Sequence, residues 1–187
     1  SECLVGSEMC IRDSIMSGLT LSPLIGKSYS SIYGQTAPSN KVKVALIGCR
    51  SMGYGDLNTF LDYPETECVA LCDVDDEWLN KRAADVEKKT GKKVPHLYKD
   101  WRRVIDNKDV DVVIIGTPDH WHCLPTVWAC QAGKDVYVEK PLSNTIEECN
   151  LMEKAARKYN RIVQVGQWQR SDPHWDCLLY TSDAADE

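Results

Sequence analysis

The stretch VYVEKPL (Val136–Leu142) closes an apolar run with Glu, Lys and Pro in succession. Ionised Glu and Lys are costly to bury unless they are paired or hydrogen-bonded. The two are therefore either a solvated salt bridge at a strand end or part of a site that uses both charges. Glu139 offers a carboxylate, Lys140 an ammonium, and Pro141 fixes the backbone directly after them.

A second constellation is VALIGCRSMGYG (Val44–Gly55). Gly48 and Gly53 hold the outer positions of G-x-G-x-x-G, between an apolar run and a helical stretch. Such a turn aims helix N–H groups at a pyrophosphate. The middle glycine, which lets the backbone approach the phosphate, is replaced by Arg50. A purely structural turn has the same spacing, so the signal needs a partner. Asp73 is that partner, ending the next apolar run twenty positions after Gly53. A carboxylate there accepts hydrogen bonds from the adenine ribose and repels a 2′-phosphate. Asp75, Asp76 and Glu77 follow, with no Arg among them. The pattern favours NAD over NADP. Its plainer reading is an acidic strand end starting a helix.

GTPDHWHC (Gly116–Cys123) follows the fourth apolar run. That is the edge where ligands bind in open α/β sheets. Asp119, His120, His122 and Cys123 invite a metal, but zinc sites usually draw ligands from separated positions and no second cluster appears. Cys68 and Cys72 do not pair as ligands either, since residues four apart on a strand are about 13 Å apart. They read as core.

Several apolar runs must position these residues. They are Lys41–Gly48, Glu67–Asp73, Asp111–Pro118, Asp135–Pro141 and Arg161–Gly166, with a weaker one at Val94–Tyr98. Apolar runs without alternation indicate strands buried on both faces, as in parallel sheets. Helical stretches lie between them: Asp56–Tyr63, Glu77–Lys89, Trp101–Ile105, His122–Ala132 and Thr145–Tyr159. Gly91 and Gly133 stand where helices stop, and Thr145 with Glu148 has capping-box spacing. The alternation predicts an α/β fold, an open, doubly wound parallel sheet of the Rossmann kind with right-handed crossovers.

Gly48 with Gly53, Asp73, TPDHWH and VEKP together resemble the Gfo/Idh/MocA family of NAD(P)-dependent oxidoreductases, from Lys41 to about Arg170. The resemblance implies that Glu139-Lys140-Pro141 closes the fifth strand beside the nicotinamide. Lys140 is then catalytic: in partly dry surroundings its ammonium holds the substrate oxygen as charge develops there and helps move the proton. Glu139 supplies opposing charge and bonds the nicotinamide ribose, and the Lys140–Pro141 peptide is expected to be cis. Ser51 and Met52 match the turn facing the pyrophosphate and nicotinamide. Thr117 and Pro118 match the segment along the adenosine and ribose. His122 matches a histidine near the reacting end, a second catalytic candidate, although a lone His is more often structural. Gln167 and Arg170 match the crossover toward a second domain, near cofactor or substrate. Arg50 is the departure, and its charge could meet a phosphate.

The implied activity is hydride transfer between NAD and a hydroxyl carbon of a sugar or polyol. One rival is a relative type that oxidises a sugar transiently on held NAD and cleaves a glycoside without net NADH. Another is a non-catalytic NAD-binding module, against which the intact Lys140 argues. Family members carry a second α/β domain that completes the proton path and forms homo-oligomers. The chain is expected to lack it, to bind NAD weakly and not to turn over substrate.

The chain has 187 residues, formal net charge −6 and nine cysteines. Ser1–Ser14 and Cys177–Glu187 are read as adapter-derived and non-native. One DNA tag encodes MCIRDS (Met9–Ser14) in one direction, and its reverse complement encodes CLLYTS (Cys177–Ser182). Without these ends the charge is near −1 and six cysteines remain, so the acidity says nothing about partners. No basic stripe suggests nucleic acid, and no apolar run is long enough to span a membrane. Residues 41–166 are expected to be the NAD-binding domain and 167–176 the start of the crossover. Ile15–Asn40 is rich in Ser, Gly and Pro. It reads as a linker or as the remnant of an export signal. Its likeness to twin-arginine signals implies a periplasmic location, with a cytoplasmic one as the alternative.

Overall fold

The computed structural model describes residues 41–171 together with Trp175. The expectations for residues 1–14, 15–40 and 177–187 lie outside them. Strands β1 (Val42–Ile47), β2 (Thr66–Cys72), β3 (His96–Tyr98), β4 (Val112–Ile115), β5 (Asp135–Glu139) and β6 (Val163–Gly166) form one sheet in the order β3-β2-β1-β4-β5-β6. Every neighbouring pair is parallel. The order reverses between β1 and β4, which leaves a crevice at their carboxyl ends. The connecting helices are α1 (Ser51–Phe60), α2 (Asp76–Thr90), α3 (Trp101–Asp106), α4 (Cys123–Gln131) and α5 (Ile146–Tyr159).

The missing alternation in the strands has a direct cause. Val44 and Leu46 pack on one face with Leu57 of α1 and Leu79 and Val86 of α2. Ala45 and Ile47 pack on the other with Val104 of α3, Ala129 of α4 and Met152 of α5. Both faces are dry from Val44 onward, so Val44, Ala45, Leu46 and Ile47 are apolar in succession. Cys68 and Cys72 are core, but in different cores. The β1–β2 register shifts between Val44 and Ala45, so residues that would share a face on a regular strand separate. Burial first of all pushes both thiols up to about 12.

Helix ends follow the expected chemistry with two differences. Asp75 caps α2 by accepting from the Glu77 N–H, 3.0 Å away, and Gly91 closes that helix in the left-handed region at φ 72°. Thr145 caps α5 by accepting from the Glu148 N–H at 3.2 Å. The Glu148 carboxylate turns to the Ser143 hydroxyl, so only half of the capping box is built. The larger difference is α1, which starts at Ser51 and not at Asp56. Ser-Met-Gly-Tyr-Gly has poor helix propensity. Its glycine is nevertheless buried against the sheet, and that tertiary contact decides the conformation. Among the described residues no helix is long and apolar enough to cross a membrane.

Candidate cofactor and active site

All strands run the same way, so their carboxyl ends share one rim. That rim carries Gly48, Asp73, Gly116 to Pro118, Glu139 with Lys140, and Gly166 with Gln167. The sequence candidates are thereby brought to one edge.

The glycine turn is a backbone junction. Gly48 has φ 89°, and a Cβ on it would lie 2.7 Å from the carbonyl carbon of Gly116. A Cβ on Gly53 would lie 2.4 Å from the Gly48 oxygen, and one on Gly116 would lie 2.3 Å from the Gly53 Cα. Three backbone segments therefore meet with no room for a side chain. Gly116 is the member that the G-x-G-x-x-G spacing could not disclose.

Arg50 is no obstacle to this geometry. It is the N-cap of α1 at φ −90° and ψ 165°, extended backbone open to any residue. The left-handed conformation falls instead on Gly48 and, unusually for a residue with a side chain, on Ser51 at φ 34°. The Arg50 charge, expected to meet a phosphate, is engaged within the described residues by a carboxylate. Its guanidinium pairs with Asp75 and lies over the Trp78 ring, 5.5 Å from the centroid. The hydrogen bond from Arg50 is the main reason the partly exposed Asp75 carboxyl is held below its ordinary range. No acidic side chain occupies the first turn of α1, and no side chain caps it. Its leading N–H groups and positive dipole end suit an anion. Ser51 and Met52 lie exposed in that first turn.

Asp73 is tied to the glycine turn. One carboxylate oxygen accepts from the Cys49 N–H at 2.8 Å, the other from the Asp75 N–H at 3.0 Å. Each oxygen keeps a second lone pair, and the residue is only partly buried, so ribose hydroxyls still find an acceptor.

Glu139 and Lys140 are not an ion pair, contrary to the expected opposition of charge. The Glu139 carboxylate is turned in and 4% exposed. One oxygen accepts from the Lys140 backbone N–H at 3.1 Å, and the other has no hydrogen-bond partner among the described residues. The Lys140 side chain is exposed, so the described residues do not supply the partly dry surroundings expected of it. The Lys140–Pro141 peptide is cis.

His122 requires a second correction. Its ring is 1% exposed. Nδ1 lies 2.8 Å from the Pro141 carbonyl oxygen and Nε2 lies 2.7 Å from that of Thr117. Each nitrogen faces a backbone carbonyl, and the ring N–H donates to one of them, so the ring ties the Pro141 turn to the β4 loop and is turned away from solvent. Thr117 and Pro118 form that loop, which leads into a short 3-10 turn, Asp119–Trp121. The neighbouring His120 is exposed beside Asp119, and the described residues hold no group of three metal-ligating side chains. Gln167 is exposed, with its N–H on the Val165 oxygen at 2.8 Å. Arg170 falls in a second 3-10 turn, Trp168–Ser171.

Sequence reasoning missed Asp56. It lies on the inward side of α1, between Gly53 and Phe60, and its carboxyl meets Glu139. A carboxylate at helical spacing with buried residues was the available signal.

A parallel sheet in this order, a side-chain-free glycine junction, an uncapped helix start and a carboxylate at the end of β2 define an NAD-binding Rossmann domain. Residues 42–167 match the description "Oxidoreductase family, NAD-binding Rossmann fold", and the chain belongs to the Gfo/Idh/MocA family. NAD is its cofactor. It is 31% identical over 138 residues to a glycosyl hydrolase family 109 protein of Shewanella sp. (strain ANA-3), covering 71% of this chain and 29% of that protein. Among solved structures it is similar to an NAD binding oxidoreductase from Klebsiella pneumoniae at 30% identity and TM-score 0.59, covering 67% of this chain and 34% of that one. A myo-inositol 2-dehydrogenase from Lactobacillus plantarum gives 26% identity and TM-score 0.66, with coverage of 78% and 42%. The chain thus spans about three-tenths of the length of the curated relative.

Proposed function

We propose that the protein to which this domain belongs transfers hydride between NAD and a hydroxyl-bearing carbon of a sugar or polyol. The observation that carries this reading is the Lys140 ammonium. It is exposed on the same rim as the glycine junction, and no described residue pairs with it. Bound NAD supplies the hydride acceptor. Gly48, Gly53 and the first turn of α1 hold its pyrophosphate by close backbone approach. Asp73 accepts from the adenine ribose. Lys140 donates to the substrate oxygen and stabilises the negative charge that develops there, while His122 keeps the Pro141 turn against the β4 loop.

A second reading is favoured by the family 109 relative: the same transient oxidation leads to glycosidic cleavage, and the hydride returns to the sugar. One experiment separates the two. A protein of the relatives' full length is mixed with NAD and a panel of sugars, polyols and glycosides. Net NADH formation supports oxidation, and aglycone release without net NADH supports cleavage. Either activity should fall by about 10²–10³ in Lys140→Met with NAD affinity preserved. Unchanged turnover in that variant would remove Lys140 from the chemistry.

A further inference from the structure

The carboxyls of Asp56 on α1 and Glu139 on β5 lie close enough to act on each other beside the Lys140 turn. Neither forms an ion pair with a cation among the described residues. Asp56 Oδ2 and Glu139 Oε1 are both buried and find no ordinary donor, and the Glu139 side chain is 4% exposed. Two carboxylates cannot satisfy each other, but a carboxylic acid and a carboxylate can. A Cβ on Gly166 would lie 2.4 Å from Glu139 Oε1 and 3.0 Å from the Tyr137 hydroxyl, so the glycine of β6 leaves room for the Glu139 carboxyl.

We propose that Asp56 and Glu139 hold one proton between them, and that the loss of this proton adds a negative charge under the Lys140 turn that favours oxidised over reduced NAD. Asp56 is a positioning residue that acts through Glu139, not a catalytic one. The inference rests on the reading that the redox ring lies beside Lys140, and it adds a regulation to that site. The electrostatics agree. Burial, then the neighbouring Glu139 carboxylate, push Asp56 up to about 7. Tyr137 from β5, the other titratable group facing the pair, is pushed up to about 12 by burial, Asp56 and Glu139, so it stays neutral. The titration belongs to the pair and not to either residue. Below its midpoint the pair carries one negative charge, above it two. The oxidised nicotinamide is a cation and the reduced ring is neutral, so the added charge strengthens NAD⁺ binding relative to NADH.

The test uses the 187-residue chain. Carboxyl carbon resonances of ¹³C-labelled aspartate are followed by NMR from pH 4 to 9 without cofactor, and NAD⁺ and NADH dissociation constants are measured by calorimetry at pH 6 and 8. An Asp56 resonance that titrates near neutrality, and drops toward the ordinary carboxylate range in Glu139→Gln, supports the pair. The ratio of the NADH to the NAD⁺ dissociation constant should rise about tenfold between the two pH values, the effect of a one-unit difference between the complexes. It should stay flat in Asp56→Asn, which keeps a donor toward Glu139 permanently. An Asp56 that titrates in the ordinary range overturns the proposal, as does a flat ratio in the unmodified chain. Absence of binding of either cofactor form is a different failure: it strikes the placement of NAD itself while the resonance titration still tests the pair.

Discussion

Gly116→Ala tests the backbone junction most directly. Gly116 does not need left-handed backbone, so the substitution carries no conformational penalty and its whole effect is steric. The new Cβ would sit 2.3 Å from the Gly53 Cα, where ordinary contact begins near 3.4 Å. A retreat of more than about 1 Å is needed, and the obstructing atoms are backbone, which no rotamer change can clear. Overpacking of this kind costs about 1–3 kcal/mol, and the rigidity of the obstacle points to the upper end. For a domain of this size that is a fall in Tm of roughly 10 °C, read by thermal unfolding followed by circular dichroism. The retreat also opens the turn that cradles the pyrophosphate, so NAD affinity should drop by more than about tenfold in calorimetry. Gly133→Ala is the control. Gly133 has φ 78° and nothing within 4 Å of a built Cβ. It should lose about 1–2 kcal/mol from backbone conformation alone and leave NAD binding intact. If Gly116→Ala keeps wild-type Tm and affinity, the close approach of the turn to β4 is not what shapes the site.

Two further outcomes follow from the rim. His122→Phe should keep the ring volume but remove the N–H that one of the Thr117 and Pro141 carbonyls accepts; urea unfolding should show a loss of about 1–3 kcal/mol, and a neutral result would deny the ring its pinning role. The raised Asp56 titration gives a pH signature. The unfolded carboxyl loses its proton near its ordinary value, while the folded one keeps it until about 7, so this group's contribution to stability is full in acid and is lost as pH rises toward 7. Asp56→Asn should therefore be more stable relative to wild type at pH 8 than at pH 5, and parallel denaturation curves at the two pH values would refute the shared proton.

The sheet was legible because its strands are apolar on both faces and are separated by helices with recognisable caps. The strand order follows from no single residue, but alternation of strand and helix left few topologies open. The start of α1 was not legible, because its residues prefer turns and the burial of Gly53 against its neighbours shows only in the folded state. At the site, Gly48, Gly53 and Asp73 announced themselves by spacing. The pairing of Arg50 with Asp75 was not legible, because the two belong to different elements. His122 was misread because its burial depends on the Pro141 turn, which approaches only in the folded state. The Asp56–Glu139 contact joins α1 to β5, and the sequence gives neither residue a mark of the other.

A junction made of main chain alone leaves evolution little to adjust. Exchanging side chains cannot retune the gap between Gly48, Gly53 and Gly116, because there are none to exchange. Adaptation of this nucleotide site toward a looser grip, or toward a phosphorylated ribose, would have to be written in Asp73 and the flanking cluster of Arg50, Asp75 and Trp78. Those four side chains are the place where laboratory selection for altered coenzyme preference should look first.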